Sequence, residues 1–312
     1  MSAGPLVSIL INNYNYGRFL RDAVDSALNQ SYGNTEIIVV DDGSTDNSRE
    51  LIAGYGDKII PVLKKNGGQG SAFNAGFAVC KGEMVCFLDS DDVWLPNKVE
   101  TVVRAAHAAP DAVMIYHAYQ RTDANLRPAG RTLPISFLEG HVGDKVLRCG
   151  GYWPYPPPSA FAFPGSVLQS YMPIPEPPFR TCADACLAYC TPLLGRIVAI
   201  KQPLCLYRMH DSNFYVTQKQ DRVEAHVVRA ERYRLNVDGA NEVLARLGRT
   251  ERFGLRDHIG YIKTRYLLDS RDRHSWTSMS WQLARMASEP SKLVRFKSLA
   301  KFWLASLGVQ RP

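Results

Sequence analysis

Met84-Val85-Cys86-Phe87-Leu88-Asp89-Ser90-Asp91-Asp92 sets an apolar run of strand length directly against three carboxylates in four positions. An apolar run bounded by a polar turn reads as a buried strand that opens into a loop. The same arrangement stands twice upstream. Residues 6–11 (LVSILI) run into Asn12-Asn13-Tyr14-Asn15, and 36–40 run into Asp41-Asp42-Gly43-Ser44-Thr45-Asp46. Between these strands, Phe19, Leu20, Ala23, Val24, Ala27 and Leu28 fall at helical spacing within 18–30, the pattern of an amphipathic helix. A strand is expected at 58–63, a helix at 70–80, a helix from Pro96 to about 109, and a strand at 112–119; proline suits a first helical turn. Strands alternating with helices predict an α/β fold, a Rossmann-like and mostly parallel sheet flanked by helices. Ligands of such sheets gather beyond the carboxyl ends of the strands. The three polar loops converge on that edge.

Further along, Tyr152-Trp153-Pro154-Tyr155-Pro156-Pro157-Pro158 and 173–179 are rich in proline and aromatics and read as stiff loop. Residues 181–194 return to a helical pattern, 196–200 and 204–207 read as short strands, and the chain from 216 onward is charged and mainly helical. This divides the chain into a catalytic domain at 1–215, with halves at 1–110 and 111–215, and a basic C-terminal region at 216–312. The region from 216 carries 19 Lys and Arg against 10 Asp and Glu, and the rest carries 18 against 20. Charge so divided points to different partners for the two parts.

The 312 residues, 46% hydrophobic and 21% charged, can build a sizeable core. No uninterrupted apolar run reaches the roughly 18 residues of a membrane-spanning helix, and the first residues lack the pattern of a secretory signal. Seven cysteines form no CxxC pair; a reduced, cytoplasmic compartment is expected. Cys182, Cys186 and Cys190 fall at i, i+4, i+8, a spacing that reads as one buried helical stripe.

Carboxylates two apart at a strand end can aim at one hard cation, and Mg²⁺ or Mn²⁺ takes such oxygen ligands together with phosphate. A solvated turn capping a helix is the plain alternative for Asp89–Asp92 and for Asp41–Asp46. Two acidic loops on neighbouring strands are harder to explain by turns alone, because like charges repel unless something offsets them. Gly67-Gly68-Gln69-Gly70-Ser71, with Asn74 after it, places backbone amides near a helix start, where phosphate is favoured. A nicotinamide-binding fold would need a GxGxxG turn after the first strand, and Asn13-Tyr14-Asn15 stands there instead. A nucleotidyltransferase would want a glycine-rich basic loop at the same place.

Four stretches, Val-Ser-Ile-Leu-Ile-Asn-Asn-Tyr-Asn at 7–15, Val-Val-Asp-Asp-Gly-Ser-Thr-Asp at 39–46, Asn-Gly-Gly-Gln-Gly-Ser-Ala-Phe-Asn-Ala-Gly at 66–76 and Phe-Leu-Asp-Ser-Asp-Asp at 87–92, follow in order. Together they resemble family 2 glycosyltransferases, which have the GT-A fold. The strong resemblance covers the first 110 residues. Ala183-Asp184 and Leu206-Tyr207-Arg208-Met209-His210 extend a weaker one to about 215. The resemblance implies an inverting transferase that moves a sugar from a nucleoside diphosphate, UDP first among the expected nucleotides, to an acceptor hydroxyl with the help of Mn²⁺ or Mg²⁺. It gives Tyr14 to the base, Asp41 to base or ribose, Asp89 and Asp91 to ribose and metal, His210 to metal or diphosphate, and Asp184 to the general base. Asn13, Asn15, Asp42, Gly68, Gly70, Asn74, Ser90 and Arg208 stand with them on the donor side. The position before Asp184, usually acidic in the family, is Ala183. A catalytically inactive sugar-nucleotide-binding or scaffold protein of the same fold is the alternative, against which Asp89, Asp91, Asp184 and His210 occur together.

Trp94, Trp153 and Tyr155 are candidates for the acceptor pocket, since an aromatic ring can offer an apolar face to a sugar; packing in the core explains them equally. Residues 291–304 mix basic and apolar side chains at near-helical spacing, as in helices that lie on an anionic membrane or dock on a domain. The first reading suits a lipid-linked acceptor and a peripheral place at the inner face of the membrane. No nucleic-acid motif accompanies the charge.

Overall fold

The computed structural model describes residues 4–211, 213 and 222–268. The chain opens with β1 (Val7–Asn13), α1 (Gly17–Leu28), β2 (Thr35–Asp41), α2 (Ser48–Ala53), β3 (Ile60–Leu63), α3 (Gln69–Phe77) and β4 (Met84–Asp89). It continues through β5 (Val93–Trp94), α4 (Lys98–Ala108), β6 (Ala112–Thr122), β7 (Pro128–Leu133), β8 (Gly140–His141) and α5 (Gly143–Arg148). Then follow β9 (Phe161–Pro164), α6 (Gly165–Gln169), α7 (Asp184–Cys190), β10 (Arg196–Arg208), α8 (Arg222–Arg246) and α9 (Ile259–Leu268). The strands form one mixed sheet in the order β3-β2-β1-β4-β9-β6-β10-β5, with β7 beside β6 and β8 beside β10.

The first four strands are parallel and bury both faces, as parallel sheets do. Leu10, Ile38, Val40, Val85 and Phe87 belong to one apolar cluster, and Ile9, Ile11, Ile37, Val39, Cys86 and Leu88 to the other. That split is the period of two of a strand. Phe87 is fully buried, with its ring centroid 4.7 Å from Phe73 and 5.8 Å from Phe163. Truncating such a side chain to alanine costs about 3–5 kcal/mol.

Register sets the functional edge. Asn12 of β1 is level with Asp89 of β4, and Asn13 is level with Asp41 of β2. The polar ends of three strands therefore meet.

Four expectations are corrected. Pro96 lies in a turn and α4 begins at Lys98. The proline-rich 150–180 stretch holds β9, which pairs antiparallel with both β4 and β6 in mid-sheet. The strands expected at 196–200 and 204–207 are one strand, β10, whose pairing with β6 shifts register between Ile200 and Cys205. Cys182 precedes α7 with φ of 60°, so the helical stripe holds only Cys186 and Cys190. These two are fully buried, and no disulfide forms among the described residues. On α8, Val237, Ala240, Val243 and Leu244 share the apolar cluster of α7. No helix among the described residues is long and apolar enough to cross a membrane, and 291–304 lie outside the described residues.

Candidate active site

A cleft of about 970 Å³ opens at the sheet edge where these strands end. Asn12, Asn13, Tyr14, Asp42, Asn66 and Gly68 line one side, Asp89, Ser90 and Asp91 the floor, and Tyr152, Tyr155, Cys182, Asp184, Tyr189 and Tyr233 the other side.

The floor is a set of carboxylates. Asp89, Asp91 and Asp92 each offer an oxygen within 4.8 Å of the others. Burial, and then the neighbouring charges, push the Asp89 and Asp92 carboxyls well above the usual range; for Asp89 those charges are Asp91 and Asp184. Asp92 turns inward, accepting from Ser159 Oγ at 2.5 Å and from the Arg208 N–H at 3.0 Å. Asp91 accepts from His210 Nε2 at 3.0 Å and Asn213 Nδ2 at 3.2 Å. Asp89 Oδ1 is buried with no hydrogen-bond partner, which costs free energy unless a cation or donor arrives. Oxygen donors of this kind, with one unsatisfied, fit a hard divalent cation. Asp89 and Asp91, at the cleft floor, are the residues that would hold it. His210, expected as a metal ligand, is buried off the cleft lining with Nε2 on Asp91 and Nδ1 3.3 Å from Arg18 Nη2, so it sits behind Asp91 and orients that carboxylate.

Across the cleft Asp184 begins α7. Burial pushes its carboxyl up to about 6, against the lowering effect of the Asp184 and Ala185 backbone amides and of Arg232 on α8. A carboxylate with its pKa near neutrality is suited to take a proton from a hydroxyl.

The donor side is more strongly tied together than the sequence suggests. Asp41 is fully buried and off the cleft lining. It accepts from Arg49 Nε at 2.8 Å, the Ser44 N–H at 3.1 Å and Asn13 Nδ2 at 3.1 Å. Burial pushes its pKa up, and these bonds outweigh burial and hold it below the usual range. Asp42 does line the cleft, but its carboxylate already accepts from Lys64 Nζ at 2.6 Å and from the Gly67 and Gly68 N–H groups at 2.9 and 2.7 Å. The glycine-rich loop is thus folded around Asp42, and its amides do not form a phosphate cradle. The Gly70 N–H donates to the Phe179 carbonyl, and Asn74 bonds both backbone groups of Ile174. Both residues anchor the 174–180 segment instead of lining the cleft. Asn15, with φ of 57°, joins two loops through Ser44 and Thr45. Tyr14, 47% exposed at the rim, has a ring face open to a partner. The Asn13 Oδ1 is buried and unsatisfied, as is that of Asn12.

Arg208 does not face the cleft. It is buried, and its guanidinium donates to the Asp91 carbonyl at 2.8 Å, the Ala124 carbonyl at 2.9 Å and Asp22 Oδ2 at 2.7 Å. It lies 4.6 Å from the Phe19 ring centroid. It holds the acidic loop in place. Trp94 is buried with Nε1 donating to the Ser159 carbonyl and Lys98 Nζ 3.5 Å over its ring. Trp153 is buried with Nε1 on the Ala188 carbonyl. Both are held by the core, Trp94 away from the cleft and Trp153 at its base; Tyr155, half-buried against Trp153, reaches the cleft wall. Sequence reasoning missed Asn12, Tyr16, Asn213, Tyr189 and Tyr233, all of which line the cleft. Only Asn12 carried a signal, as the first polar residue after the β1 apolar run.

A model of glycosyl transferase family 2 matches residues 8–155. An uncharacterized glycosyltransferase of Nostoc sp. is 34% identical over 290 residues, 90% of this chain and 87% of that one. TarS residues 1–349 of S. aureus in complex with UDP-GlcNAc superpose with a TM-score of 0.55 at 16% identity, over 96% of this chain and 91% of that one. A mannosyltransferase of Pyrobaculum calidifontis in complex with GDP-Man and Mn²⁺ gives 0.51 at 18% identity, over 98% and 81%. With its strand-end acids in one cleft and a relative this similar over nearly its whole length, the chain belongs to glycosyl transferase family 2 and is a glycosyltransferase of the GT-A fold.

Proposed function

We propose that this glycosyltransferase is inverting and metal-dependent, moving a sugar from a nucleoside diphosphate to an acceptor hydroxyl. The observation that carries the reading is the pairing, across one cleft, of Asp89 and Asp91 with Asp184. Tyr14 stacks on the base, and Asn12 and Asn13 offer their unsatisfied amide oxygens to donor hydroxyls or base N–H groups. A divalent cation, Mn²⁺ or Mg²⁺, would stabilise negative charge on the departing diphosphate as a Lewis acid. The Mn²⁺ and GDP-Man of the Pyrobaculum structure and the UDP-GlcNAc of TarS support such a donor and ion here.

Asp184 takes the proton of the acceptor hydroxyl as that oxygen bonds to sugar C1. The C1–O bond to the diphosphate breaks and its electron pair leaves with the diphosphate. One base opposite one leaving group gives inversion, through an oxocarbenium-like sugar. UDP is the nucleotide we propose first, and surface polysaccharide or glycolipid assembly the setting. A lipid-linked acceptor would place the chain in the cytoplasm at the inner face of a membrane.

The test is nucleoside diphosphate release from UDP-glucose, UDP-GlcNAc and GDP-mannose with Mn²⁺ or EDTA. Release should depend on Mn²⁺, fall about 100-fold or more in Asp91→Asn and Asp184→Asn, and leave UDP binding intact in Asp184→Asn. Metal-independent release, or full activity in Asp184→Asn, would refute the proposal.

A further inference from the structure

His258 lies just before α9, far along the chain from the donor motifs, and is fully buried. Three tyrosines from three separate segments surround it. Its ring centroid is 5.3 Å from that of Tyr152, 5.9 Å from Tyr189 and 4.5 Å from Tyr233 on α8. All three tyrosines line the cleft on the Asp184 side. They also sense one another: burial first, then Tyr233, Asp184 and Tyr152, push the pKa of the Tyr189 hydroxyl well above its ordinary value, so it stays protonated.

Hydrogen bonds fix the imidazole. The Tyr261 N–H donates to Nδ1 at 3.1 Å, so that nitrogen carries a lone pair. Burial holds the ring's pKa down to about 4, which keeps it neutral at pH 7. The proton is then on Nε2, which donates to the Tyr189 hydroxyl at 2.9 Å. Tyr189 keeps its own hydroxyl proton for another partner. An apolar ring could fill the same space, but it could not accept at one edge and donate at the other.

The backbone makes room for this group at two glycines. A Cβ on Gly151, where φ is 88°, would run into the Tyr189 ring, and one on Gly260 would sit 2.7 Å from Tyr233 Cζ. The Tyr189 and Tyr233 rings thus lie against backbone too closely for any larger residue there, and such close packing restricts their movement.

We propose that His258 is a positioning residue for the acceptor subsite: together with the buried Tyr189 it holds Tyr152 and Tyr233, half-buried at the cleft, as an aromatic wall that receives the apolar face of an acceptor sugar ring beside Asp184. Aromatic faces with hydroxyls at their edges match a ring that is apolar on one face and polar at its rim. The inference rests on the transferase reading above and extends it: the acceptor hydroxyl belongs to a saccharide.

The experiment uses the full chain with Mn²⁺, the three donors named above, and octyl glycosides of glucose, galactose, N-acetylglucosamine and mannose as acceptor probes. Release of nucleoside diphosphate to water, without acceptor, reports the donor site and the Asp184 base; transfer to the glycosides adds the acceptor subsite. His258→Phe keeps the ring and loses both hydrogen bonds, while Tyr233→Ala removes part of the wall and leaves those bonds in place. Both should raise KM for the accepted glycoside about tenfold and change release to water by less than about threefold. His258→Gln, which retains a donor for Tyr189, should recover part of the loss. Unchanged KM, a parallel fall of release and transfer, or a native chain that hydrolyses a donor but accepts none of the glycosides would overturn the inference. A native chain that releases nothing from any donor would refute the transferase reading itself, and the inference with it.

Discussion

Replacing Asp184 by asparagine should abolish transfer and, at neutral pH, make the protein more stable. The carboxyl is raised from 3.8 to about 6, chiefly by burial. Each unit is worth about 1.4 kcal/mol, so the fold carries a penalty of at most about 3 kcal/mol when Asp184 is ionised. The side chain is not wholly closed off from the cleft, and screening there reduces the figure to roughly 1–3 kcal/mol. Between pH 4 and 6 the folded carboxyl keeps its proton while the unfolded chain has released it. The folded state binds more protons, so this site makes stability fall as pH rises through that window. Below the window neither state is ionised and the penalty is absent; above it the full penalty remains. Asparagine removes the penalty at every pH and can still accept from the backbone amides. The assay is thermal unfolding of both proteins from pH 3.5 to 8, without metal or nucleotide. The Tm curves should coincide at the acid end and separate by a few degrees in favour of Asp184→Asn above about pH 6.5. Asp92 titrates in both proteins and cancels in the difference; Asp89, raised in part by the Asp184 charge, is relieved of that part in the variant, which acts in the same direction as the gap. The native enzyme's transfer rate should rise with pH and level off above about 6–7, as its base loses its proton. A pH-independent Tm gap, or an Asp184→Asn variant less stable at pH 8, would refute the claim that burial sets the ionisation of this residue.

Arg208→Lys should lower kcat at least about tenfold and weaken the protein, because a lysine cannot reach Asp22, Ala124 and the Asp91 carbonyl together; wild-type kinetics would show that Arg208 does not order the acidic loop. Trp94→Phe should leave donor and acceptor KM within about twofold and cost about 1–3 kcal/mol in denaturant unfolding, since the indole serves the core and the Ser159 carbonyl; a selective rise in acceptor KM would return it to the cleft. Lys98→Met should raise stability by about 1–4 kcal/mol near pH 7, because Lys98 is fully buried, its Nζ meets only the Cys86 thiol and the Trp94 ring with no carboxylate or carbonyl partner, and burial lowers its pKa. The depressed pKa means the folded state binds fewer protons, so native stability should climb toward alkaline pH and the gap to the methionine variant should narrow; a gap that widens there would refute the assignment.

The early strands were legible because each carries its own period and its own terminating turn. Residues 37–40 are four β-branched strand formers before two aspartates, and no tertiary information is needed to end that strand. β9 was hidden for the opposite reason. Phe161-Ala162-Phe163-Pro164 is four residues long, follows a run of prolines, and becomes a strand because β4 and β6 leave a slot between them. β10 read as two strands because Lys201, Gln202 and Pro203 interrupt its apolar pattern at an irregular pairing with β6. Arg208 reads as a donor-side residue because it stands in the late motif beside His210; burial against Phe19 and three protein acceptors turn it inward.

The two sides of the cleft differ in the range of sequence that builds them. The donor side is assembled from turns at the ends of adjacent strands, where an aspartate or asparagine announces itself by following an apolar run, as Asp42 and Asn12 do. Sequence position there nearly equals spatial position. The acceptor side is assembled from residues spread over the stretch 152–258: Tyr152 in a proline-rich loop, Asp184 and Tyr189 on α7, Tyr233 on α8 and His258 before α9. Each of these tyrosines, taken alone, is an ordinary core aromatic. What gives them a common orientation is one buried imidazole and glycines that let rings lie on main chain, and such a relation has no periodicity to read. The surface that chooses the acceptor is therefore written in long-range packing, while the surface that meets the nucleotide is written in local motifs. A variant that repacks around His258 should then alter which acceptor is used without altering which donor is bound.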